Sequence, residues 1–190
     1  MFNIRGQDPS ATSTLCWKLP YLETLVMQAA ESYSIISITE TWLKPHIKDA
    51  QVSIEGYSEP FRSDRRMRGR GGSCLYIKED IIVSDSFKYD DDHCQIVGCS
   101  LDRLKTLVFS VYRPGDTPHN KFNDAVNFIQ SFVDKIDDSW NIIITGDFNF
   151  PNIHWETMSI KSEDGCKTCA ESLLTFMESN FLKLLKSQHG

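Results

Sequence analysis

The chain has 190 residues and a mass of 21.8 kDa; 41% of the residues are apolar and 24% charged, the composition of a globular domain with one core. Twenty Lys and Arg stand against 26 Asp and Glu, a formal charge of −6 that excludes a wholesale basic coat for nucleic acid. No apolar run approaches the roughly eighteen residues of a membrane span and no hydrophobic signal region opens the chain, so an intracellular protein without a membrane partner is expected. The charge is uneven, however. Residues 62–70 (RSDRRMRGR) hold five Arg and one Asp, a local +4 that leaves −10 on everything else.

No Pro/Gly/Ser-rich linker divides the sequence, so residues 1–190 read as one domain. After Pro20, Leu22, Leu25, Val26, Ala29 and Ala30 recur at helical spacing and predict a helix with one buried stripe. SIISITE (34–40) is short and rich in β-branched residues, a buried strand that ends in Glu40. Gly71 and Gly72 introduce short strands at Ser73 to Lys78, Ile81 to Val83, Cys94 to Ser100 and Leu107 to Tyr112, which read as an antiparallel meander. From about Asn120 to Ile136 a second helix carries Phe122, Ala125, Val126, Ile129, Phe132, Val133 and Ile136 on one face. The strand NIIITG (141–146) then runs directly into Asp147, and a last helix spans about Thr168 to Asn180. Helices separated by groups of strands give α/β or α+β layers. Cys16, Cys74, Cys94 and Cys99 lie in or beside apolar segments and are expected as core thiols. Cys166 and Cys169 form a C-x-x-C without a second pair or a His at zinc spacing, and read as a loop entering a helix.

The sharpest local feature is GDFNFPNIHW (146–155), directly after an apolar strand. A carboxylate at such a strand end calls for a cation or for hydrogen-bond donors. Asp147 and Asn149, two residues apart, project to one side of an extended chain and can share an oxygen-rich centre. The same two residues also suit an Asx-turn that Pro151 continues. Glu40 ends another apolar strand, and two strand-end acids on one sheet edge suit a hard cation taking carboxylate, water and phosphate oxygens. That chemistry is metal-assisted phosphate-ester cleavage. For Glu40 alone the alternative is a capping contact to the segment that starts at Thr41. Tyr112 and Arg113, before a proline turn, can donate to a phosphoryl oxygen, or form a packed ring and a solvated charge.

In order along the chain, FNIRG, TETWL, GY with SDRRMRGRGGSCLYIKED, SVYRPGDTP and GDFNFPNIHW resemble the endonuclease/exonuclease/phosphatase superfamily of DNase-I-like, metal-dependent phosphodiesterases. In particular, the sequence is similar to the endonuclease domain that precedes reverse transcriptase in non-LTR retrotransposons. The resemblance implies a four-layer αββα sandwich and Mg²⁺ (or Mn²⁺) as cofactor. It matches Asn3 to the asparagine that supports the catalytic centre and Glu40 to the metal-binding glutamate. Tyr112 matches the tyrosine that contacts the scissile phosphate. Asp147 matches the aspartate that orients or deprotonates the attacking water, and Asn149 the residue that binds a phosphate oxygen. Arg5 stands where abasic-site repair relatives carry a second acid, which points away from that branch. Arg62, Arg65, Arg66, Arg68, Arg70 and Arg113 are expected to meet a DNA backbone, or in the case of the 62–70 loop to form a solvated turn. The implied parent is a DNA-nicking protein fused to a reverse transcriptase and acting in the nucleus.

The family pattern closes with a late Ser-Asp-His string that this sequence lacks. Only His93 of the five His follows an Asp, and DDDHCQIV reads as the side of a hairpin. The sequence therefore reads as cut at both ends, with an incomplete second sheet and little or no turnover. Two other readings stay open: an inactive remnant of such a domain, and a superfamily member acting on a small phosphorylated molecule or lipid.

Overall fold

The computed structural model of the chain describes residues 2–3, 14–28, 33–65, 70–161 and 166–185. Among them, the strands form two four-stranded sheets and a two-stranded ribbon. The first sheet contains β1 (Phe2–Asn3), β2 (Ile35–Thr39), β3 (Phe61–Ser63) and β4 (Ser73–Ile77) in the order β1-β2-β4-β3. The second contains β5 (Asp85–Asp91), β6 (Cys94–Leu101), β7 (Thr106–Tyr112) and β8 (Asn141–Asp147) in sequence order. The ribbon pairs β9 (Ile153–His154) with β10 (Ser159–Ile160). Three helices complete the chain: α1 (Thr14–Gln28), α2 (His119–Val133) and α3 (Lys167–Ser179).

Period-two alternation sorts the strands into layers. On β2 and β4, Ile36, Ile38, Cys74 and Tyr76 face outward and join Leu15, Leu22 and Val26 of α1 in one buried cluster. On β6 and β7, Cys94, Ile96, Leu107, Phe109 and Val111 face outward onto Ala125 and Ile129 of α2 and Phe176 of α3. The residues between them turn inward, and Leu75, Ile77, Val97, Cys99, Leu101 and Val108 close the two sheets on each other. The result is helix, sheet, sheet, helices: the four layers expected of the αββα sandwich. Burial pushes the Cys74, Cys94 and Cys99 thiols up to about 12, so they stay protonated core groups, and half-buried Cys16 packs at the edge of the first cluster.

Several sequence expectations change. Ser73–Ile77 does not continue a meander with Cys94–Leu101; it pairs antiparallel with β2 and β3 in the first sheet. Only β5, β6 and β7 form a meander, and β8 then returns parallel to β7. The strand expected at Ile81 to Val83 falls instead on Asp85–Asp91, an edge strand with one neighbour whose mostly polar sequence DSFKYDD packs Phe87 and Tyr89 against Phe132 and Phe128 of α2. Helix α1 starts at Thr14 and carries Pro20 inside it, and Thr24 Oγ1 donates to the Pro20 carbonyl at 2.8 Å. Cys166 caps α3 by accepting the Cys169 N–H at 3.3 Å, as a loop entering a helix should, but the two sulfurs are also bonded to each other.

The interior between the sheets is graded. Its far end is apolar, whereas toward the C-terminal ends of β2, β7 and β8 it becomes polar. There Ser110 Oγ lies 2.7 Å from both Ser37 Oγ and Ser73 Oγ, and Ser73 Oγ also donates to the Ser110 carbonyl at 2.9 Å. All three serines are buried, and Thr39 lies next to them at 0% exposure. This seam leads to the strand ends that carry the predicted acids.

Candidate active site

Tyr112 and Asp147 are Cα partners at the ends of the parallel pair β7 and β8. With Ser110 and Thr145 they occupy the inward-facing positions, so both side chains leave the sheet toward β2. Asn3 ends β1 opposite Thr39, one residue before Glu40. The backbones of the sequence-predicted residues Asn3, Glu40, Tyr112 and Asp147 are thus gathered at one end of the sandwich; the Asn3 side chain lies outside what the structure describes.

Glu40 reaches its position through an unusual backbone. It and Trp42 are both left-handed, at φ 58° and 54°, and their N–H groups donate to Gly72 and Gly71 carbonyls at 3.0 and 2.9 Å. The TETWL and RGG segments are therefore two halves of one structure. Trp42 Nε1 donates to Glu40 Oε2 at 2.7 Å, and the Tyr112 phenol bonds the same carboxylate. Glu40 is 9% and Tyr112 6% exposed. Burial first, then the hydrogen bond and charge of Glu40, push the Tyr112 phenol well above the ordinary tyrosine range, with Asp147 adding to the rise and Arg65 opposing it. Tyr112 accordingly stays a neutral hydrogen-bond donor. The capping role considered for Glu40 does not occur, since no helix follows it.

Asp147 and Asn149 form the Asx-turn allowed by their spacing: Asp147 Oδ1 accepts the Asn149 N–H at 3.2 Å. Asn149 is left-handed, at φ 49°, and its Nδ2 donates to the Arg113 carbonyl at 2.7 Å. The turn and the functional pairing are compatible, because the turn fixes one Asp147 oxygen by a backbone donor. Gly146 precedes them at φ 144°, where a Cβ would overlap the Val111 carbonyl oxygen. The glycine of GDFN is required by the approach of two strands.

The arginines divide in a way that charge counting does not reveal. Arg62 is locked between Asp64 at 2.6 Å and Asp49 at 2.9 Å, with further bonds to the Ile47 and Lys44 carbonyls, and it ties loops of the first sheet together. Arg65 is 7% exposed; its Nε donates to the Asp92 carbonyl at 2.7 Å, and its Nη2 is buried without a hydrogen-bond partner among the described residues. Its Cδ lies beside Gly71 on the side where the Tyr112 ring also packs. Arg70 is exposed and stacks over the Trp42 ring at 5.3 Å. Arg66 and Arg68 lie outside the described residues. The expectation that Arg113 meets nucleic acid is corrected. It is 1% exposed, with its guanidinium against the edge-to-face pair of Phe122 and Phe150 rings, nearer to Phe150, and bonded to main-chain carbonyls of the 148–149 segment.

Sequence reasoning did not single out Trp42, Gly71 or the three seam serines as parts of the site. Ser110 was visible as a small hydroxyl at an inward, mid-strand position of TLVFSVY, and Trp42 by its spacing of two from Glu40. His93 occupies the turn between β5 and β6, as the hairpin reading expected. Its N–H donates to Asp91 Oδ1 at 2.8 Å and its carbonyl accepts from Thr117.

Among the described residues, no group of three or more His, Cys, Asp and Glu side chains is arranged to hold a metal. The donor set does fit a hard divalent ion taking few protein ligands: Glu40 is buried, and its described hydrogen-bond partners, an indole and a phenol, are neutral. No helix among the described residues is long and apolar enough to cross a membrane.

Comparison with known proteins agrees with this geometry. Residues 106–190 match a family model described as endonuclease-reverse transcriptase. No curated protein matches the chain. Among solved structures, the chain is similar to a 3'-5' exonuclease from Neisseria meningitidis, with TM-score 0.62 and 14% identity over 86% of this chain and 66% of that one. It is similar to a truncated TDP2 of Caenorhabditis elegans, with TM-score 0.54 and 14% identity over 85% of this chain and 64% of that one. The endonuclease domain of TRAS1, a telomere-specific non-LTR retrotransposon, gives TM-score 0.56 and 17% identity over 98% of this chain and 73% of that one. The chain spans about two thirds of the length of the first two. It has the fold of the endonuclease/exonuclease/phosphatase, DNase-I-like superfamily, and from residue 106 onward its sequence matches the endonuclease-reverse transcriptase family.

Proposed function

We propose that this chain is the core of a metal-dependent phosphodiesterase that nicks DNA, the endonuclease part of a retrotransposon-derived protein. The observation that carries the reading is the meeting of Glu40, Tyr112 and Asp147 at the joint end of β2, β7 and β8, with Asn149 turned back onto the same loop. A single centre with two carboxylates, a protonated phenol and an amide suits charge build-up on a phosphoryl group.

Glu40 would hold Mg²⁺ or Mn²⁺. When bound, that ion supplies Lewis-acid polarisation of a phosphoryl oxygen and neutralises the leaving alkoxide. The chain's own residues do the rest. Asp147 takes the proton of the attacking water, while the Asn149 N–H holds one of its oxygens in place. Tyr112, kept neutral by burial and Glu40, has one hydrogen, which it would turn from Glu40 to a phosphoryl oxygen of the substrate, and the second hydrogen of the Asn149 amide would donate to another. Asn3, at the end of β1, supports the Glu40 side of the centre. Arg65 is a cation next to Tyr112, and its Nη2, without a partner among the described residues, is a donor for the same phosphate.

DNA is the substrate this arrangement favours, with Arg70 and the Arg66 and Arg68 of the same basic segment meeting its backbone. In the parent protein this unit precedes a reverse transcriptase and works in the nucleus. The test is plasmid nicking with Mg²⁺ across a salt series. Nicking that depends on Asp147 and weakens steeply as salt rises supports the reading. A flat salt response, or hydrolysis of small phosphate esters in preference to plasmid, defeats the assignment to DNA.

A further inference from the structure

Arg113 is among the largest fully buried side chains, and nothing in the chemistry above uses it. Its described hydrogen bonds all go to one loop. Its N–H donates to the Asp147 carbonyl at 2.9 Å, and its own carbonyl accepts Asn149 Nδ2 at 2.7 Å. Its Nη1 donates to the Phe148 and Asn149 carbonyls at 3.0 and 3.1 Å. The guanidinium carbon lies 4.1 Å from the Phe150 ring centre and 5.3 Å from that of Phe122. Nε is buried and has no partner among the described residues.

We propose that Arg113 is a positioning residue for the Asp147–Asn149 pair, acting through the backbone that carries them; this rests on the reading of those two residues as catalytic. Burying a charge is costly, and a hydrocarbon side chain would fill the space beside the two rings without that cost. What the guanidinium adds is one nitrogen with two hydrogens, aimed at two successive carbonyls. Those carbonyls converge on it while Asn149 holds its left-handed conformation, one that asparagine reaches at little cost and that the two bonds to Nη1 select. Were the 148–149 peptides to turn away, Asn149 Nδ2 would leave the Arg113 carbonyl and Asp147 Oδ1 would lose the Asn149 N–H. Lysine is a poor replacement, because its ammonium is a compact, strongly hydrated point charge without the flat face that lies over Phe150. The YRP and GDFNF strings are thus one device: the first supplies the clamp, and the second the loop it holds and one of the rings.

The test compares the 190-residue chain with Arg113→Lys and Phe150→Leu, using the NMR signals of the Asn149 side-chain amide and the 147–150 backbone together with plasmid nicking. In Arg113→Lys, with the sheet resonances retained, these loop signals shift and their hydrogens exchange about tenfold faster or more, and kcat falls about a hundredfold while half-saturation by DNA changes less than about twofold. If Arg113→Lys does not fold, Phe150→Leu, which removes a ring face and no hydrogen bond, produces the same loop displacement at smaller amplitude. Unchanged Asn149 and backbone signals in a folded variant overturn the proposal. So does a change confined to half-saturation, which would return Arg113 to DNA contact. If the unmodified chain shows no nicking, the nuclease reading fails on its own, and the loop signals still decide whether Arg113 positions Asp147 and Asn149.

Discussion

A Cβ added to Gly71 would lie 2.6 Å from Cε1 of Tyr112. Gly71 also sits at φ 97°, so a side chain there is opposed twice, by the backbone conformation and by the ring. Gly71→Ala is predicted to cost about 1 to 3 kcal/mol in urea unfolding, within the range of overpacked sites, and to displace Tyr112 from Glu40. Gly146→Ala is predicted to be worse, because the obstacle there is the Val111 carbonyl and no side chain can swing aside. Loss of soluble, sheet-containing protein by circular dichroism is the expected result; a folded Gly146→Ala chain would show that β7 and β8 are not paired as described.

Trp42 reports on Glu40 through their 2.7 Å hydrogen bond. Trp42→Phe is predicted to lower stability by about 1.5 to 3 kcal/mol, the scale for a hydrogen bond to a charged group, as measured by denaturant unfolding. Added Mn²⁺ is predicted to quench tryptophan fluorescence, and to lose that effect in Glu40→Gln and in Trp42→Phe. Equal quenching in all three proteins would place the ion elsewhere.

The pH dependence follows from Tyr112. Its folded pKa is raised by burial and by Glu40, so the stabilisation from keeping the phenol neutral is fully present below the unfolded value near 10 and is lost as pH rises through the folded value. Urea midpoints measured at about pH 9 and pH 11 should therefore fall more for the unmodified chain than for Tyr112→Phe. An identical fall would mean that the phenol is not held between Glu40 and the seam.

The seam serines form a shared system in which Ser110 serves two partners. Ser110→Ala strands the Ser37 hydroxyl in a buried place and is predicted to cost about 1 to 3 kcal/mol, the penalty for an unsatisfied buried polar group. Ser73→Ala leaves the Ser37–Ser110 bond intact, so it should cost less. Denaturant unfolding of the two variants gives the comparison, and the reverse order would refute the network.

Much of this architecture was legible because alternation and strand-end acids are local signals. SIISITE and NIIITGD each show an apolar run stopped by a carboxylate, and the structure brings those two ends together. Pairing was not legible: nothing within SCLYI says that it lies beside IISIT rather than CQIVGCSL. The edge strand DSFKYDD was hidden because its packed face carries two aromatic residues, Phe87 and Tyr89, in a segment otherwise of charges and Ser. Arg62 and Arg113 were misread for a related reason. Charge is visible in sequence but burial is not, and both are held by carbonyls or carboxylates contributed by distant segments.

The most direct test of the centre is Mg²⁺-dependent relaxation of supercoiled plasmid by the 190-residue chain and by Asp147→Ala. One cut relaxes a whole plasmid, so the assay registers turnover even if an electrostatic donor contributing a factor of about 10² to 10³ is missing. The predicted result is nicking that requires Mg²⁺ or Mn²⁺ and disappears in Asp147→Ala. Plasmid left supercoiled by the unmodified chain, or nicking that survives the substitution, would contradict the assignment of Asp147 and its neighbours as a phosphodiesterase centre.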